Sequence, residues 1–367
     1  MKILSIDTSC DETACAVTNG TKILSNIIWS QASAHAKFGG VLPSLAQRMH
    51  SEHINWVVKR AINNSQLTVN KIDAIAVTVG PGLSIALGVG VNKAKELAKK
   101  HHKKLIAVNH LEGHILSPLA SPANAQLTMN NPLRGNNLQF PALGLVVSGG
   151  NTILVKINKV GSHETLAQTT DDALGEALDK AARMLGLGYP GGAILEKMAS
   201  LGNTKEYSLP VPIAGQEKRR IFTYSGLKTA MSRLIETKKP LTKEKVYNLA
   251  ACFQDVAFTH LIRVLRYCII HKQSLASQGP GNSSFVIHNL LVGGGVAANV
   301  ELRRRLRKLG REFRISVHFP YSNKLTGDNA AMIGIAAYFK AQRGEFADPN
   351  RIDRDSRAQL GHSEAKW

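Results

Sequence analysis

The chain has 367 residues, 44% hydrophobic and 20% charged, with 46 lysines and arginines against 26 aspartates and glutamates, for a net charge of +20. This length suits two lobes rather than one, and the lack of any apolar run near ~18 residues argues against a membrane span. The four cysteines form no CxxC pair, which excludes a zinc ribbon and, in a reducing compartment, a disulfide framework.

The opening "KILSIDTSCDETACAV" predicts strand, tight polar turn, strand, with "ILSI" and "ACAV" as the apolar arms. The strand pattern begins at once, without a secretory h-region or an Arg/Ser-rich transit peptide, so a cytoplasmic protein is expected. "GTKILSNIIWSQ" reads as a third strand. Residues 43–66 carry Leu45, Met49, Ile54, Val57, Val58 and Ile62 near one helical face. "IDAIAVTVG" (72–80) is a buried strand leading into a glycine-rich turn and a helix, and "KKLIAVNH" (103–110) is another strand. A meander followed by β/α alternation defines an α/β lobe. Residues 121–139 are rich in Asn, Pro and Ser and predict an exposed loop. "PALGLVVSGGNTILVKI" (141–157) repeats the strand–turn–strand opening. Helices are predicted around 173–186, 190–201, 225–237 and 245–271, then a polar loop at 272–285. A strand, glycine turn and helix follow over 289–310, with a helix near 326–342 and a frayed polar end. The echo between residues 3–17 and 143–157 predicts a duplicated fold with a cleft between its halves.

The basic residues cluster at 93–104, 217–222, 238–245 and 303–314. Any one cluster reads as a solvated helix face. Together they point to a polyanion such as nucleic acid, bound in a salt-dependent way. "DTSCDET" brings Asp7, Asp11 and Glu12 together with hydroxyls in one turn. That turn could face a phosphate, hold a metal-bound water or accept a proton. "VVSGGNT" and "LVGGGVAAN" place glycines directly after buried strands, where backbone can approach an anion. Neither the Rossmann nor the Walker pattern is present.

"NHLEGHI" sets His110 and His114 four apart. On a helix they lie ~40° apart, one turn up, and can reach one metal. In a zinc peptidase the glutamate directly follows the first histidine. Here Glu112 falls ~200° round from His110, which argues against it as a base. Two histidines need a further ligand, and Asp328 in "TGDNAA" is the best remote candidate. Two His and one carboxylate with open positions suit Fe(II) or Zn(II) and are compatible with Mg(II) or Mn(II).

These pieces, with "FGGVLPSLAQRMHSEH", "GPGLSIALGVG", "GEALDKAARMLGLGYPGG" and "YSGLKTA", resemble one family over nearly the whole chain. It is the tRNA N6-adenosine threonylcarbamoyltransferase family, in its bacterial TsaD branch. The resemblance implies an α/β fold with two ribonuclease-H-like lobes of the actin/Hsp70/sugar-kinase (ASKHA) class around a nucleotide cleft. Lobe I would be 1–115, completed by a helix at 325–345, and lobe II 116–324, with 346–367 a polar tail. It implies one divalent metal, Fe2+ first and Zn2+ or Mg2+ as alternatives, on His110, His114 and Asp328. It implies an adenylate site lined by Val146, Val147, Ser148, Gly149, Gly150, Asp179, Gly192, Glu196 and Asn299, with the two acids suited to ribose hydroxyls. The implied reaction moves threonylcarbamoyl from threonylcarbamoyl-AMP to N6 of the adenosine 3′ of the anticodon in ANN-decoding tRNA, releasing AMP. Asp11 or Glu12 is the candidate proton acceptor. The implied partners are tRNA, the pseudo-enzyme paralogue TsaB and the small ATPase TsaE, with no membrane. Asp7 stands where many relatives carry Glu, Asn151 where many carry His, and the loops at 121–139 and 272–285 look long for the family. The rival readings are a metallopeptidase, a small-molecule kinase of the same fold, and a nucleotide-switched tRNA binder.

Overall fold

The computed structural model describes residues 1–124, 138–274 and 286–360, with the side chains of 272–274 excepted. The long loops expected at 121–139 and 272–285 therefore lie largely outside the described residues. The chain divides into two compact units: Met1–Leu138, Lys159–His163 and Phe319–Trp367 in one, and Gln139–Asn158 with Glu164–His318 in the other.

The first unit opens with an antiparallel meander, β1 (Lys2–Asp7), β2 (Glu12–Asn19) and β3 (Lys22–Ser30). A short helix α1 (Ala32–Ala36) and the long α2 (Pro43–Asn64) lead to β4 (Ala74–Gly80), α3 (Ser84–Lys100) and β5 (Lys104–Asn109). Then come α4 (His110–Leu116) and β6 (Ser121–Pro122), and much later in sequence α10 (Ala330–Gln342). The six strands run in the order β5-β4-β1-β2-β3-β6, with β4 parallel to both β1 and β5. Alternation along β1 sorts its side chains by face. Leu4 and Ile6 join Val57, Val58 and Ala61 of α2 and Val91, Ala94 and Leu97 of α3 in one apolar cluster. Ser5, between them, faces the other way and donates its hydroxyl to the carbonyl of Ala330 at the start of α10, 2.6 Å away. The first eight residues of α10, Ala330–Ala337, are all buried, which is why "AAMIGIAA" is apolar on every side.

The second unit repeats this plan. Its elements are β7 (Ala142–Val147), β8 (Thr152–Lys159), β9 (Ser162–Thr169), α5 (Leu174–Met184), α6 (Gly192–Ala199), β10 (Ile221–Phe222), α7 (Ser225–Lys238), α8 (Lys243–Ser274), β11 (Asn289–Gly293), α9 (Val300–Phe313) and β12 (Ser316–His318). The order β12-β11-β7-β8-β9-β10 matches β5-β4-β1-β2-β3-β6 strand for strand. The directions agree as well: β7–β8 is antiparallel like β1–β2, β11 is parallel to β7 and β12 as β4 is to β1 and β5, and β10 is parallel to β9 as β6 is to β3. The duplication expected from residues 3–17 and 143–157 is thus present as a repeated six-stranded topology.

One expectation fails. Residues 346–360 are not frayed. Ala347 N–H donates to Leu105 O at 2.8 Å and Asp355 N–H to Val79 O at 2.7 Å. The Arg354 Nε donates to Ser84 Oγ at 3.2 Å, and Ile352 is fully buried in the β1–α2–α3 cluster. This polar segment is a strap held by backbone pairing, which side-chain composition does not reveal. No helix among the described residues is long and apolar enough to cross a membrane.

Candidate metal centre and nucleotide-facing turns

The metal candidates converge within the first unit because three local devices place them. β5 ends at Asn109, whose Oδ1 accepts the N–H groups of Leu111 at 2.9 Å and Glu112 at 3.4 Å and so starts α4. His110 is then the first helical residue and His114 lies one turn on. Both are buried. Asn329 caps α10 in the same way, accepting Met332 N–H at 3.1 Å, and that fixes the preceding Asp328. Between the two histidines Gly113 lets the helices meet: a Cβ there would lie 2.9 Å from Ile333 Cδ1 and 3.2 Å from Met332 Cγ.

The Nε2 atoms of His110 and His114 lie 3.4 and 3.1 Å from the same oxygen, Asp328 Oδ1. Metal–ligand bonds of about 2.0–2.2 Å put neighbouring donors roughly 3.0–3.5 Å apart in octahedral or tetrahedral sites, so these separations fit one ion. All three donor atoms lie within 4.8 Å of one another. Glu112, buried on the same helix, is not in this cluster. The charges are tightly linked. Burial alone would lower the His110 imidazole, but the carboxylates of Asp328 and Asp7 outweigh it and lift it to about 10. Burial holds His114 below its ordinary value, helped by His110 and opposed by its hydrogen bond to Asp328. Burial would raise Asp328, yet the two imidazoles hold it well below the usual carboxylate range.

The "DTSCDET" turn joins β1 to β2 beside this cluster. The Glu12 carboxyl is pushed well up by burial, then by the charges of Asp11 and Asp328, while the Ser30 hydroxyl donates to its Oε1 at 3.2 Å. Asp11 stands next to it, partly exposed. The turn is held from outside by His50 of α2. Its Nε2 lies 3.0 Å from Cys10 O and its Nδ1 2.8 Å from Thr13 Oγ1. A carbonyl only accepts, so Nε2 carries the proton and Nδ1 accepts the Thr13 hydroxyl. The sequence reading passed over His50 and Asn109. Both sit inside the quoted motifs, but only the fold shows what they hold.

In the second unit, Val146 and Val147 end β7 as buried residues, Ser148 begins the turn, and Gly149 and Gly150 are exposed at its tip. Ser148 O accepts Gly175 N–H at 3.1 Å, setting the start of α5 against the turn. Gly294, at φ +95°, backs onto Val147, where a Cβ would lie 2.3 Å from the Val147 carbonyl oxygen. On α5, Asp179 Oδ1 accepts the N–H groups of Gly191 at 2.9 Å and Gly192 at 2.8 Å, anchoring α6. Four residues on, Glu196 Oε1 accepts Val300 N–H at 2.7 Å at the start of α9. Asn299 caps α9 through Leu302 N–H at 2.9 Å and gives its Nδ2 to Gln254 Oε1 at 2.9 Å. Ser148, Asp179, Gly192, Glu196 and Asn299 are thus linked through α5, α6 and α9 within one unit.

Two solved structures share this architecture over almost the whole chain. The activator of 2-hydroxyisocaproyl-CoA dehydratase from Clostridium difficile, with bound ADPNP, superposes with a TM-score of 0.50 over 94% of this chain and 97% of its own, at 14% identity. Component A of (R)-2-hydroxyglutaryl-CoA dehydratase from Acidaminococcus fermentans gives 0.52 over 93% and 99%, at 12% identity. The duplicated sheets and these likenesses define an α/β protein of the ASKHA fold class, here carrying a His–His–Asp cluster in which both histidines are buried. The sequence relatives are more specific. The family profile for tRNA N6-adenosine threonylcarbamoyltransferase matches residues 22–335. Proteins of that name from Bartonella henselae and Nostoc punctiforme are 42% and 40% identical to this chain. They cover 94% and 98% of it and 92% and 96% of their own length. The chain belongs to the tRNA N6-adenosine threonylcarbamoyltransferase family.

Proposed function

We propose that this chain transfers the threonylcarbamoyl group from threonylcarbamoyl-AMP to N6 of the adenosine 3′ of the anticodon in ANN-decoding tRNAs. The observation that supports this most is the family match over nearly the full length in a chain whose His110, His114 and Asp328 converge on one point. These three hold a divalent ion, Fe2+ in the first instance and Zn2+ or Mg2+ as alternatives. When bound, the ion supplies a positive charge that offsets charge developing on the carbonyl or phosphate oxygens.

The chain's own groups do the rest. The turn at Val146–Gly150 and the α6 and α9 starts receive the adenylate. Asp179 and Glu196, whose carboxylates accept backbone N–H groups at the starts of α6 and α9, are the acids proposed to meet the ribose hydroxyls. The N6 amine attacks the carbamoyl carbon, the C–N bond forms, the bond to the phosphate oxygen breaks, and AMP leaves with that electron pair. Burial, then the charge of Asp11, pushes the Glu12 carboxyl well up, and Asp11 or Glu12 is assigned as acceptor of the N6 proton. The basic surface, with net charge +20, suits tRNA. TsaB and TsaE are the proposed protein partners, and the cytoplasm the proposed compartment.

The test is reconstitution with metal, threonylcarbamoyl-AMP and unmodified tRNA, with TsaB and TsaE present, reading digested nucleosides by mass spectrometry. The anticodon-adjacent adenosine gains threonylcarbamoyl with the intact chain and not with His110→Ala. No product in the complete mixture, from protein that binds the adenylate, would overturn the proposal.

A further inference from the structure

Behind the His110 imidazole, on the side away from Asp328, lies a second carboxylate. Asp7 ends β1 and is 1% exposed. Its Oδ1 accepts Ser9 N–H at 3.2 Å. Its Oδ2 is buried without a hydrogen-bond partner among the described residues, and so is His110 Nδ1. These two orphaned atoms lie 3.6 Å apart. A buried polar group without a partner loses its hydration for nothing, so a pair facing each other has a strong reason to join. A carboxylate oxygen only accepts, so the proton belongs on His110 Nδ1. That leaves the lone pair on Nε2, the atom 3.4 Å from Asp328 Oδ1.

The backbone behind Asp7 is stiff. β1 is a central strand, Asp7 pairs with Ala14 of β2, and β4 flanks the other edge. His114 has no such support, since its Nδ1 has no hydrogen-bond partner among the described residues. The two histidines are therefore not equivalent. One is backed at Nδ1 by a fixed carboxylate, while the other has a polar contact only at Nε2, with Asp328.

We propose that Asp7 is a positioning residue for the metal centre: its Oδ2 takes the Nδ1–H of His110, fixes that tautomer, and aims Nε2 at the divalent ion. The proposal rests on the metal reading above. Losing such an outer carboxylate typically weakens metal affinity about 10–100-fold.

The test measures Zn2+ and Co2+ affinity of the full chain by competition with a chromophoric chelator. It compares the natural protein with Asp7→Ala, the near-isosteric Asp7→Asn, and Asp7→Glu. Nitrogen-detected NMR of the imidazoles reads the His110 tautomer in the Zn2+-saturated protein, where the ring is neutral. The expected result is a fall of about 10–100-fold for the Ala and Asn variants, loss of the Nδ1–H tautomer in both, and recovery of most of the affinity with Glu. Natural affinity and tautomer in folded Asp7→Asn or Asp7→Ala overturn the inference while leaving the metal reading intact. No binding of either ion by the natural protein overturns the metal reading itself, and the inference with it.

Discussion

Asn109 ties three features together, and removing its side chain tests all of them. It is 4% exposed at the junction of β5 and α4. Its Oδ1 caps the helix through Leu111 and Glu112, and its Nδ2 donates to Gln359 O of the strap at 3.3 Å. Asn109→Ala loses the cap, worth about 1 kcal/mol, and the strap bond, worth about 1 kcal/mol more. The total of about 2 kcal/mol corresponds to roughly 30-fold faster exchange of the Leu111 and Glu112 amides, where local opening governs exchange. Asn109→Asp keeps the cap and places a negative charge at the positive end of the helix, but it cannot donate to the Gln359 carbonyl. It is expected to cost about half as much. Hydrogen exchange followed by NMR or mass spectrometry reads the local effect, and Zn2+ affinity shows whether it reaches the histidines. Unchanged protection at Leu111 and Glu112 in Asn109→Ala would refute the reasoning. Equal losses for Ala and Asp would refute the division between cap and strap.

Three other expectations follow from single contacts. His260 is buried, and its Nε2 accepts Thr223 N–H at 3.1 Å; burial lowers it to about 4. The unfolded chain takes up this proton first, so the contribution of about 3 kcal/mol is complete above pH ~6.5 and lost as pH falls towards 4. Urea unfolding at pH 7.5 and 4.5 should show a larger acid loss for the natural protein than for His260→Gln, and equal losses would contradict this. Gly294→Ala forces a side chain onto the Val147 carbonyl at φ +95° and should destabilise the second unit by at least about 2 kcal/mol, read as a lower melting temperature. A melting curve matching the natural one would mean that the turn at Val147 yields. Asp172 accepts from Lys180 at 2.6 Å and Lys228 at 2.8 Å, joining α5 to α7. Asp172→Ala should cost about 1 kcal/mol, and a double-mutant cycle with Lys228→Met should recover part of it. Additive effects would show that the pair is not coupled.

The sequence made some of this legible and hid the rest for definite reasons. α2, α3, β4 and β5 were readable because apolar periodicity and glycine turns act locally. The His110–His114–Asp328 cluster was legible through the family resemblance, since two histidines one turn apart read by themselves as a surface pair. β9 and β12 left no comparable trace. "SHETLAQT" has no clean alternation, and the three-residue "SVH" is a strand only because it lies parallel to Asn289–Leu291. The strap was misread as frayed because its hold on Leu105 and Val79 is through the backbone, and its buried apolar residues, Ile352, Ala358 and Leu360, follow no strand or helix period. Asp7 was visible as one acid among three in "DTSCDET". Its place behind His110 depends on β1 and α4 being brought together, which no local pattern encodes.

The order in which these parts occur along the chain has a consequence for synthesis. The two histidines emerge early from the ribosome, while their acidic partner follows more than two hundred residues later and the tie on Asn109 later still, at Gln359. A nascent chain stalled before Asp328 exposes an imidazole pair with nothing to complete it. On the proposed metal reading, ion loading follows translation of nearly the entire protein, and a premature stop just upstream of the strap yields all three donors while α4, which carries the two histidines, has lost its outer tie.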